Sequence, residues 1–278
     1  MKIGFIGLGN MATAIIGGLL REDTTLNSED GNATVITAAN IIGSAKTEAT
    51  RQKRAEQFGI AVTASNREVA EAADVLVLAV KPQFFPEVIA EIRDAVSENP
   101  LVISIAAGLT LERIAGLFDR NVTAMRLIRC MPNTPALVNA GCTAVVPGPG
   151  ATEADEALCL RLMESFGRAI VIPERLMDAA SATAGSSPAF VFMFIEALAD
   201  GAVAAGMPRA QAYEFAAAAV AGSAQLVLET GRHPGDLKDM VCSPGGTTIE
   251  GVRALEEGAF RASVMNAISA CVEKAKAL

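Results

Sequence analysis

Residues 7 to 12 read Gly-Leu-Gly-Asn-Met-Ala and stand between a short apolar run and an amphipathic one. The apolar run predicts a β-strand, and Asn10 to Leu20 predicts a helix. In the dinucleotide-binding fingerprint, the first glycine makes a tight turn and the second lets a ligand approach the backbone. A third, small residue lets strand and helix pack closely. Gly7, Gly9 and Ala12 occupy these places, so the chain opens with the turn of a Rossmann-type βα unit.

The alternation of strand and helix signals continues beyond this first unit. Several strands are continuous apolar runs, such as Asp74 to Val80 and Leu101 to Ile105. Strands buried on both faces have this composition, so the pattern predicts a parallel, doubly wound α/β sheet. The other strands are predicted near 34–38, 60–63, 122–128 and 142–146, with helices near 45–58, 66–73, 86–96 and 111–117 and a polar surface loop at 21–32.

The composition changes after a break at Pro147-Gly148-Pro149-Gly150. From Glu174 onward strand signals stop and alanine dominates, which predicts helices near 174–184, 188–205, 208–230, 235–241, 248–257 and 259–277. We therefore expect a Rossmann-type domain at 1–150, a connecting segment at 151–173 and an all-α dimerisation domain at 174–278. The long helices are too apolar to be solvated alone, which favours a subunit interface over a monomeric bundle.

The composition of the chain limits the classes of partner that it can bind and the cellular compartment that it suits. The net charge is −8, so the chain lacks the basic surface of a nucleic-acid-binding protein. Five scattered cysteines without a Cys-x-x-Cys pair, and one histidine, argue against a metal site and against Cys/His catalysis. The apolar stretch Pro188 to Ile195 meets Glu196 and Asp200 too soon to span a bilayer. With no signal peptide evident, we expect a cytoplasmic protein with no membrane partner.

In dinucleotide-binding folds, the residues at the end of the second strand contact the adenosine ribose. An acidic residue there selects NAD, whereas its absence together with nearby cations admits the 2′-phosphate of NADP. This chain has no acid between Thr37 and Lys46, and Asn40, Ser44 and Lys46 are candidates to bind a phosphate. The sequence therefore predicts NADP, with NAD as the alternative.

Two further strand ends and a turn point to the same crevice. Lys81 follows one buried strand, and Ala107 ends the next with a side chain small enough to admit a nicotinamide. Asn133 lies in a rigid turn between two prolines, where it bonds either the cofactor or its own backbone. The predicted cofactor-binding residues are Ile6, Gly7, Leu8, Gly9, Asn10, Met11, Asn40, Asn66, Ala79, Val80, Lys81, Ala107 and Asn133.

A second candidate site lies near the C-terminus. A helix breaks at Ser243-Pro244-Gly245-Gly246, and a new helix begins at Thr247, whose spacing to Glu250 is that of a capping box. The first turn of a helix has free backbone N–H groups and favours negative charge. Residues 243 to 247 are therefore predicted to bind a small carboxylate, and this segment is called the socket below.

Taken together, these segments resemble pyrroline-5-carboxylate reductase over nearly the whole chain. This resemblance implies a Rossmann domain followed by a helical dimerisation domain, with dimers assembled into larger rings. It also implies reduction of 1-pyrroline-5-carboxylate to L-proline with NADPH or NADH. The matching segments are Gly4 to Met11, Ala79 to Pro82, Ser104 to Gly108, Met131 to Pro135, Gly185 to Ala189 and Lys238 to Thr248.

The resemblance also assigns roles to individual residues. Thr248 is implied to hydrogen-bond the ring nitrogen of the substrate and is the expected catalytic residue. Ser243, Gly246 and Thr247 are implied to hold the substrate carboxylate, and Glu174 matches a position near the site. The resemblance places Asn66 at the adenosine part of the cofactor, and Lys81, Ala79 and Ala107 at its inner portion.

The chain departs from the family's pattern in the loop after the second strand, and two other functions compete with the one that the resemblance implies. The loop after the second strand has Ala39-Asn40-Ile41 where the family has a Ser/Thr-Arg signal, which weakens the prediction of NADP. One rival is another imine or 3-hydroxyacid reductase, but such enzymes use a lysine in a long helix and residues 188–230 contain none. The other is a non-catalytic NADP-binding oligomer, against which the socket near Thr248 argues.

Overall fold

The computed structural model describes residues 1–21, 25–27, 33–96 and 100–276. The chain divides into two compact units, residues 1–185 with the end of the last helix, and residues 186–274. The first unit is built on a sheet, and the second is wholly helical. The prediction of a Rossmann-type sheet domain followed by a helical domain is confirmed.

The first unit contains one large sheet and one small one. The large sheet has eight strands in the order β10-β9-β8-β7-β6-β1-β4-β5, and the pair β2-β3 forms the small one. The strands of the described residues are β1 (Ile3–Ile6), β2 (Thr25–Asn27), β3 (Ala33–Val35), β4 (Ile41–Ser44), β5 (Ala61–Thr63), β6 (Val75–Leu78), β7 (Leu101–Ser104), β8 (Leu127–Met131), β9 (Gly141–Pro147) and β10 (Gly167–Val171).

The large sheet is mixed, where the sequence predicted a parallel one. Six neighbouring strands run parallel, namely β8, β7, β6, β1, β4 and β5. In contrast, β9 pairs antiparallel with β8, and β10 lies parallel to β9. The reason is the connection between β8 and β9. Residues 132–140 hold only a short 3₁₀ turn, Thr134–Val138, and a parallel crossover needs about a dozen residues or more.

Helices cover both faces of the large sheet and make up the second unit. Gly59 ends α2 in the left-handed conformation, and the side chain of Ser65 caps α3. The helices are α1 (Asn10–Leu19), α2 (Glu48–Phe58), α3 (Asn66–Ala72), α4 (Phe85–Ile92), α5 (Leu111–Leu117), α6 (Glu153–Glu164), α7 (Met177–Ala180), α8 (Ser187–Ala204), α9 (Arg209–Thr230), α10 (Pro234–Val241), α11 (Thr247–Glu257) and α12 (Phe260–Lys276), with a π-helical turn at Ser181–Ser186.

The second strand of the large sheet lies later than the sequence predicted. The predicted strand at 34–38 is replaced by the small strand β3 and a 3₁₀ turn, Ala38–Asn40, and β4 follows. The side chain of Asn40 accepts hydrogen bonds from the backbone N–H and hydroxyl of Thr37, which stabilises the turn. The predicted loop at 21–32 falls mostly outside the described residues, although β2 lies within it.

The segment 151–173 belongs to the sheet domain and is not a connector. It forms α6 and β10, and the side chains of Leu158, Leu162 and Phe166 are buried in the core on one face of the sheet. The opposite face has its own core, which packs against α3, α4 and α5. The strands alternate between these cores, since Val75 and Val77 belong to the first and Leu76 and Leu78 to the second. A doubly wound sheet has this arrangement.

The second unit has very little core of its own. Among its residues, 186–274, only Ala199, Ala212, Ala216 and Leu237 are buried. Large apolar side chains on its helices stay exposed, including Phe192, Met193, Phe215 and Met265 at 61% to 69%. These helices therefore leave a wide apolar surface uncovered within one chain, as expected of a subunit interface.

The helical run Glu174–Ala204 is 31 residues long and, by length and composition alone, would suffice to cross a bilayer. The expectation that Glu196 and Asp200 make this stretch too short is therefore not confirmed. A single run of this kind is weak evidence for a membrane, because apolar helices at protein interfaces have the same composition.

One buried ion pair joins α6 to the sheet. The Asp155 carboxylate is fully buried and accepts hydrogen bonds from Arg126 and from the backbone N–H of Thr152. Burial raises the pKa of Asp155, but the hydrogen bonds from Arg126 and Thr152 outweigh it, so the pKa lies below its ordinary value. The ionised carboxylate therefore stabilises the folded state.

We predict that Asp155→Asn lowers the free energy of unfolding by about 3 kcal/mol at pH 7, because a neutral amide replaces a buried carboxylate whose charge is opposite to that of Arg126. Since the folded pKa lies below the unfolded value of about 3.9, the stabilisation is complete above that pH and is lost as pH falls through the folded pKa. Urea denaturation at pH 7 and at pH 3 measures both effects.

Asp119→Asn is the matched control, since Asp119 pairs with Arg93 at the surface and its side chain is 71% exposed. Its effect should stay within about 0.5 kcal/mol at either pH. Equal effects of the two substitutions would contradict a stabilising role for the buried pair.

Candidate active site

A cleft of the first unit lies at the carboxyl ends of β1, β4 and β6. Strand order reverses about β1, and ligands of open α/β sheets bind at such a switch point. A cavity of about 490 Å³ opens there. Its lining residues are Gly7, Gly9, Ser44, Ala45, Lys46, Ala64, Asn66, Ala79, Val80, Lys81, Phe84, Glu87, Val88 and Glu91.

The turn between β1 and α1 forms one wall of the cavity. Gly7 has a φ of +95°, and a Cβ there would lie 2.9 Å from the Val80 side chain and 3.0 Å from the Ala79 backbone. A Cβ built on Gly9 would meet no atom within 4 Å among the described residues. Gly7 is therefore required by the fold, whereas Gly9 leaves open space for a ligand to approach the backbone.

The end of β4 forms the opposite wall. The buried hydroxyl of Ser44 donates to Oδ1 of Asn66 at 2.7 Å, and Lys46 follows two residues later on the cavity lining. Asn66 is the first residue of α3, where backbone N–H groups favour an anion. Ser44, Asn66 and Lys46 thus form the polar end of the cavity.

The structure corrects the prediction for Asn40. Asn40 precedes β4, so it lies at the amino end of the strand, opposite the cavity, and its side chain donates to the backbone carbonyl of Met1. The error followed from the misplaced second strand. Ser44-Ala45-Lys46, at the carboxyl end of β4, is the segment that lines the cavity, whereas Ala39-Asn40-Ile41 lies at the other end of the strand.

Sequence reasoning missed the contribution of α4. Its residues Glu87 and Glu91 are one helical turn apart and both line the cavity, while Phe85, Ile89 and Ile92 face the core. This spacing is visible in the sequence, because residues at i and i+4 share a face. The missing information was that the exposed face of α4 borders the cleft.

The remaining predicted cofactor residues divide into two groups. Ala79, Val80 and Lys81 line the cavity, and their contact with the cofactor stays a prediction. Ile6, Leu8, Asn10, Met11 and Ala107 lie at the ends of β1 and β7 or the start of α1, beside that lining, and their contact with the cofactor stays a prediction.

Asn133 takes the structural role that the sequence left open. It is 8% exposed, its Oδ1 accepts from the backbone N–H of Cys142, and its Nδ2 donates to the carbonyl of Ala184. The side chain thus fixes the start of β9 to the π-helical turn. Asn133 is not one of the residues that line the cavity, and its contact with the cofactor stays a prediction.

Glu174 also has structural partners. Its Oε1 accepts from the backbone N–H of Leu111 at 2.9 Å and from the buried guanidinium of Arg129 at 3.0 Å. The carboxylate therefore caps α5 and neutralises a buried cation at the end of the sheet domain. Its contact with substrate stays a prediction.

The socket of the second unit is a tight turn that leads into α11. Gly246 donates to the carbonyl of Ser243, and Gly245 has a φ of +67°, the geometry of a type II turn with Pro244 and Gly245 at its centre. A Cβ on Gly246 would lie 2.3 Å from the Ser243 hydroxyl, so this close contact requires glycine.

The predicted capping box at Thr247 is wrong. Gly246 is the N-cap of α11, and within the described residues 100–276 no side chain caps this helix. Thr247 and Thr248 are the first two helical residues and both are exposed. The first-turn N–H groups of α11 are thus available to an anion, which suits a carboxylate better than a capped start would.

The residues of the first unit fit a dinucleotide. A positive-φ turn, a glycine with free space above it and a polar strand end with a lysine surround one cavity. Within residues 1–21, 25–27, 33–96 and 100–276, no three histidine, cysteine or carboxylate side chains cluster as metal ligands do.

Comparisons with known proteins cover both units. A family model described as pyrroline-5-carboxylate reductase dimerisation matches residues 174–278, and one described as NADP oxidoreductase, coenzyme F420-dependent, matches residues 2–108. The pyrroline-5-carboxylate reductase of Escherichia coli strain K12 is 51% identical over 277 residues, which cover 100% of this chain and 98% of the relative.

Solved structures agree with these matches. The pyrroline-5-carboxylate reductase of Coxiella burnetii superposes with a TM-score of 0.88 at 34% identity, covering 99% of this chain and 97% of the other. The Plasmodium falciparum pyrroline carboxylate reductase with NADP bound superposes with a TM-score of 0.82 at 31% identity, covering 100% and 97%.

We predict that Gly9→Ala weakens binding of NADPH at least about tenfold, because the added methyl group occupies the space where a ligand meets the backbone. The φ of Gly9 is −75°, which alanine adopts readily, so the melting temperature should not fall. Fluorescence titration with NADPH measures the affinity.

Gly116→Ala is the control, since its Cβ also meets free space but Gly116 lies in α5 and not on the cavity lining. This variant should bind NADPH like the parent protein. Unaltered affinity in Gly9→Ala would place the coenzyme elsewhere.

Proposed function

The chain belongs to the pyrroline-5-carboxylate reductase family, and we propose that it holds 1-pyrroline-5-carboxylate at the first turn of α11 while the cleft of the first unit holds the coenzyme. The protein is an oxidoreductase that forms L-proline in the last step of proline biosynthesis. The observation that carries this function is the 51% identity to a pyrroline-5-carboxylate reductase over the whole chain.

The socket at α11 suits the substrate carboxylate. Two consecutive glycines let a small anion approach the backbone, and the first-turn N–H groups carry the positive end of the helix dipole. The hydroxyls of Ser243 and Thr247 lie at the same turn. We assign the carboxylate to Ser243, Gly246 and Thr247.

Thr248 is the proposed partner of the ring nitrogen. Reduction adds hydride to the imine carbon and leaves a proton on nitrogen, and the bound coenzyme supplies the hydride. A protonated imine accepts hydride readily, so the protein's task is to orient the ring and to hydrogen-bond the nitrogen. A threonine at the second position of a helix performs this without being a strong acid.

The coenzyme is NADP(H), with NAD(H) as the alternative. A neutral strand end, Ser44-Ala45, followed by Lys46 supports the choice, because none of these three positions carries the acidic residue that binds an unphosphorylated ribose. Asn66 is assigned to the adenosine part, since it is bonded to Ser44 and begins α3.

The apolar surface of the second unit supports a homodimer. Only four of its residues are buried within one chain, and the matching family model is named for dimerisation. We propose that dimers assemble further into a ring and that the protein is cytoplasmic, without a membrane or nucleic-acid partner. Sedimentation velocity separates a dimer from a ring, and fractionation of cells locates the protein.

We predict that Thr248→Ala lowers kcat/KM for 1-pyrroline-5-carboxylate about ten- to a thousandfold, the range for one positioned polar group. NADPH oxidation followed at saturating coenzyme measures the loss, and Thr248→Ser should retain most of the activity because it keeps the hydroxyl.

Thr230→Ala serves as the control, because Thr230 is an exposed helical threonine whose hydroxyl contacts only nearby backbone in the contacts described: it donates to the carbonyl of Leu226 and accepts from the N–H of Arg232. Its kinetics should match those of the parent. Normal turnover by Thr248→Ala would refute the assignment of Thr248, whereas no turnover by the parent protein would refute the function itself.

A further inference from the structure

Four charged side chains line the coenzyme cavity, and two of them are acidic. Lys46 and Lys81 follow strand ends, which is where dinucleotide-binding folds place their phosphate ligands. Glu87 and Glu91 come from α4 instead. A carboxylate in a cavity that must accept a phosphate is electrostatically unfavourable, so its presence needs a reason.

Glu91 is tied to the polar end of the cavity by a chain of hydrogen bonds. Ser44 donates to Oδ1 of Asn66 at 2.7 Å, and Nδ2 of Asn66 donates to Oε2 of Glu91 at 2.7 Å. Ser44 belongs to the strand end that reads the adenosine ribose. This series of hydrogen bonds therefore separates the Glu91 carboxylate from that ribose position by only the side-chain amide of Asn66.

This carboxylate also decides how the Asn66 amide is oriented. A serine hydroxyl can donate or accept, so Ser44 would tolerate either face of the amide. An ionised carboxylate only accepts, so Glu91 selects the orientation in which the amide nitrogen faces α4 and the oxygen faces β4. One N–H of Asn66 then remains for a ligand in the cavity.

In dinucleotide-binding folds a carboxylate beside the adenosine ribose bonds its hydroxyl groups and disfavours a 2′-phosphate. We propose that Glu91 is a coenzyme-specificity residue, which supplies from α4 the acid that the end of β4 lacks and thereby restrains the preference for NADP(H) set by Lys46. This inference rests on the proposed position of the adenosine part at Ser44 and Asn66.

Binding of NADP⁺ and NAD⁺ tests the proposal without any catalytic turnover, because the two nucleotides differ only by the 2′-phosphate. In Glu91→Gln the charge is removed while an oxygen remains to accept from Asn66. The ratio of the dissociation constants, NAD⁺ over NADP⁺, should rise about fivefold by calorimetry at low salt. The rise should shrink in 0.5 M salt, where exposed charges are screened.

Two further variants test whether the change in the ratio of dissociation constants is specific to Glu91. Lys46→Met should change the same ratio in the opposite direction. Glu71→Gln removes a carboxylate that pairs with Arg67 on the surface of α3, and the ratio should stay at the parent value. Glu91 is exposed, so its substitution leaves the core intact.

An unchanged ratio in Glu91→Gln would overturn the proposal. An equal weakening of both nucleotides would also overturn it, since that result assigns Glu91 only to the positioning of Asn66. Failure of the proposed reaction gives a different result, in which the parent protein binds both nucleotides but does not oxidise NADPH with 1-pyrroline-5-carboxylate.

Discussion

The turn after β1 is the constraint on which the functional half of the molecule depends. Gly7 has a backbone conformation that other residues rarely adopt, and the Ala79 backbone lies against the position where its Cβ would be. Its N–H donates to the carbonyl of Ser44 at 3.1 Å. One turn thus holds the ends of β1, β4 and β6 together, and the free space above Gly9 is the consequence. A side chain at Gly7 would collide with the Val80 side chain and the Ala79 backbone, both of which line the cleft.

Features that depend on local chemistry could be predicted from the sequence. Apolar strands, the positive-φ cap at Gly59, the cap at Ser65 and the turn at Ser243 to Gly246 each depend on residues adjacent in the chain. The cavity-lining residues at the ends of β1 and β6 were predicted for the same reason, because a strand and the residue after it are read together. Lys46 is also a candidate phosphate ligand from the sequence, although the strand before it ends at Ser44 and not at residue 38.

Features that depend on distant partners could not be predicted. Asn40 was assigned to the cofactor because its turn, stabilised by Thr37, was mistaken for the end of a strand. Asn133 and Glu174 are polar residues near the expected site, but each has a partner far away in sequence: Ala184 lies 51 residues from Asn133, and Leu111 lies 63 residues from Glu174. Glu91 was missed because its relation to Asn66 exists only once α4 packs beside α3. In each case the sequence shows a polar residue but not the group that satisfies it.

The two units differ in what stabilises them. The sheet domain has two continuous cores and a buried ion pair, so a single chain supplies the apolar burial that its fold requires. The helical unit buries four residues and leaves Phe192, Phe215 and Met265 mostly exposed. Its stability must come from association, and the stability of such units depends on protein concentration. The coenzyme cleft therefore belongs to the unit with two continuous cores, while the proposed substrate socket belongs to the unit whose apolar surface is left uncovered within one chain. Dilution should accordingly affect substrate binding before coenzyme binding.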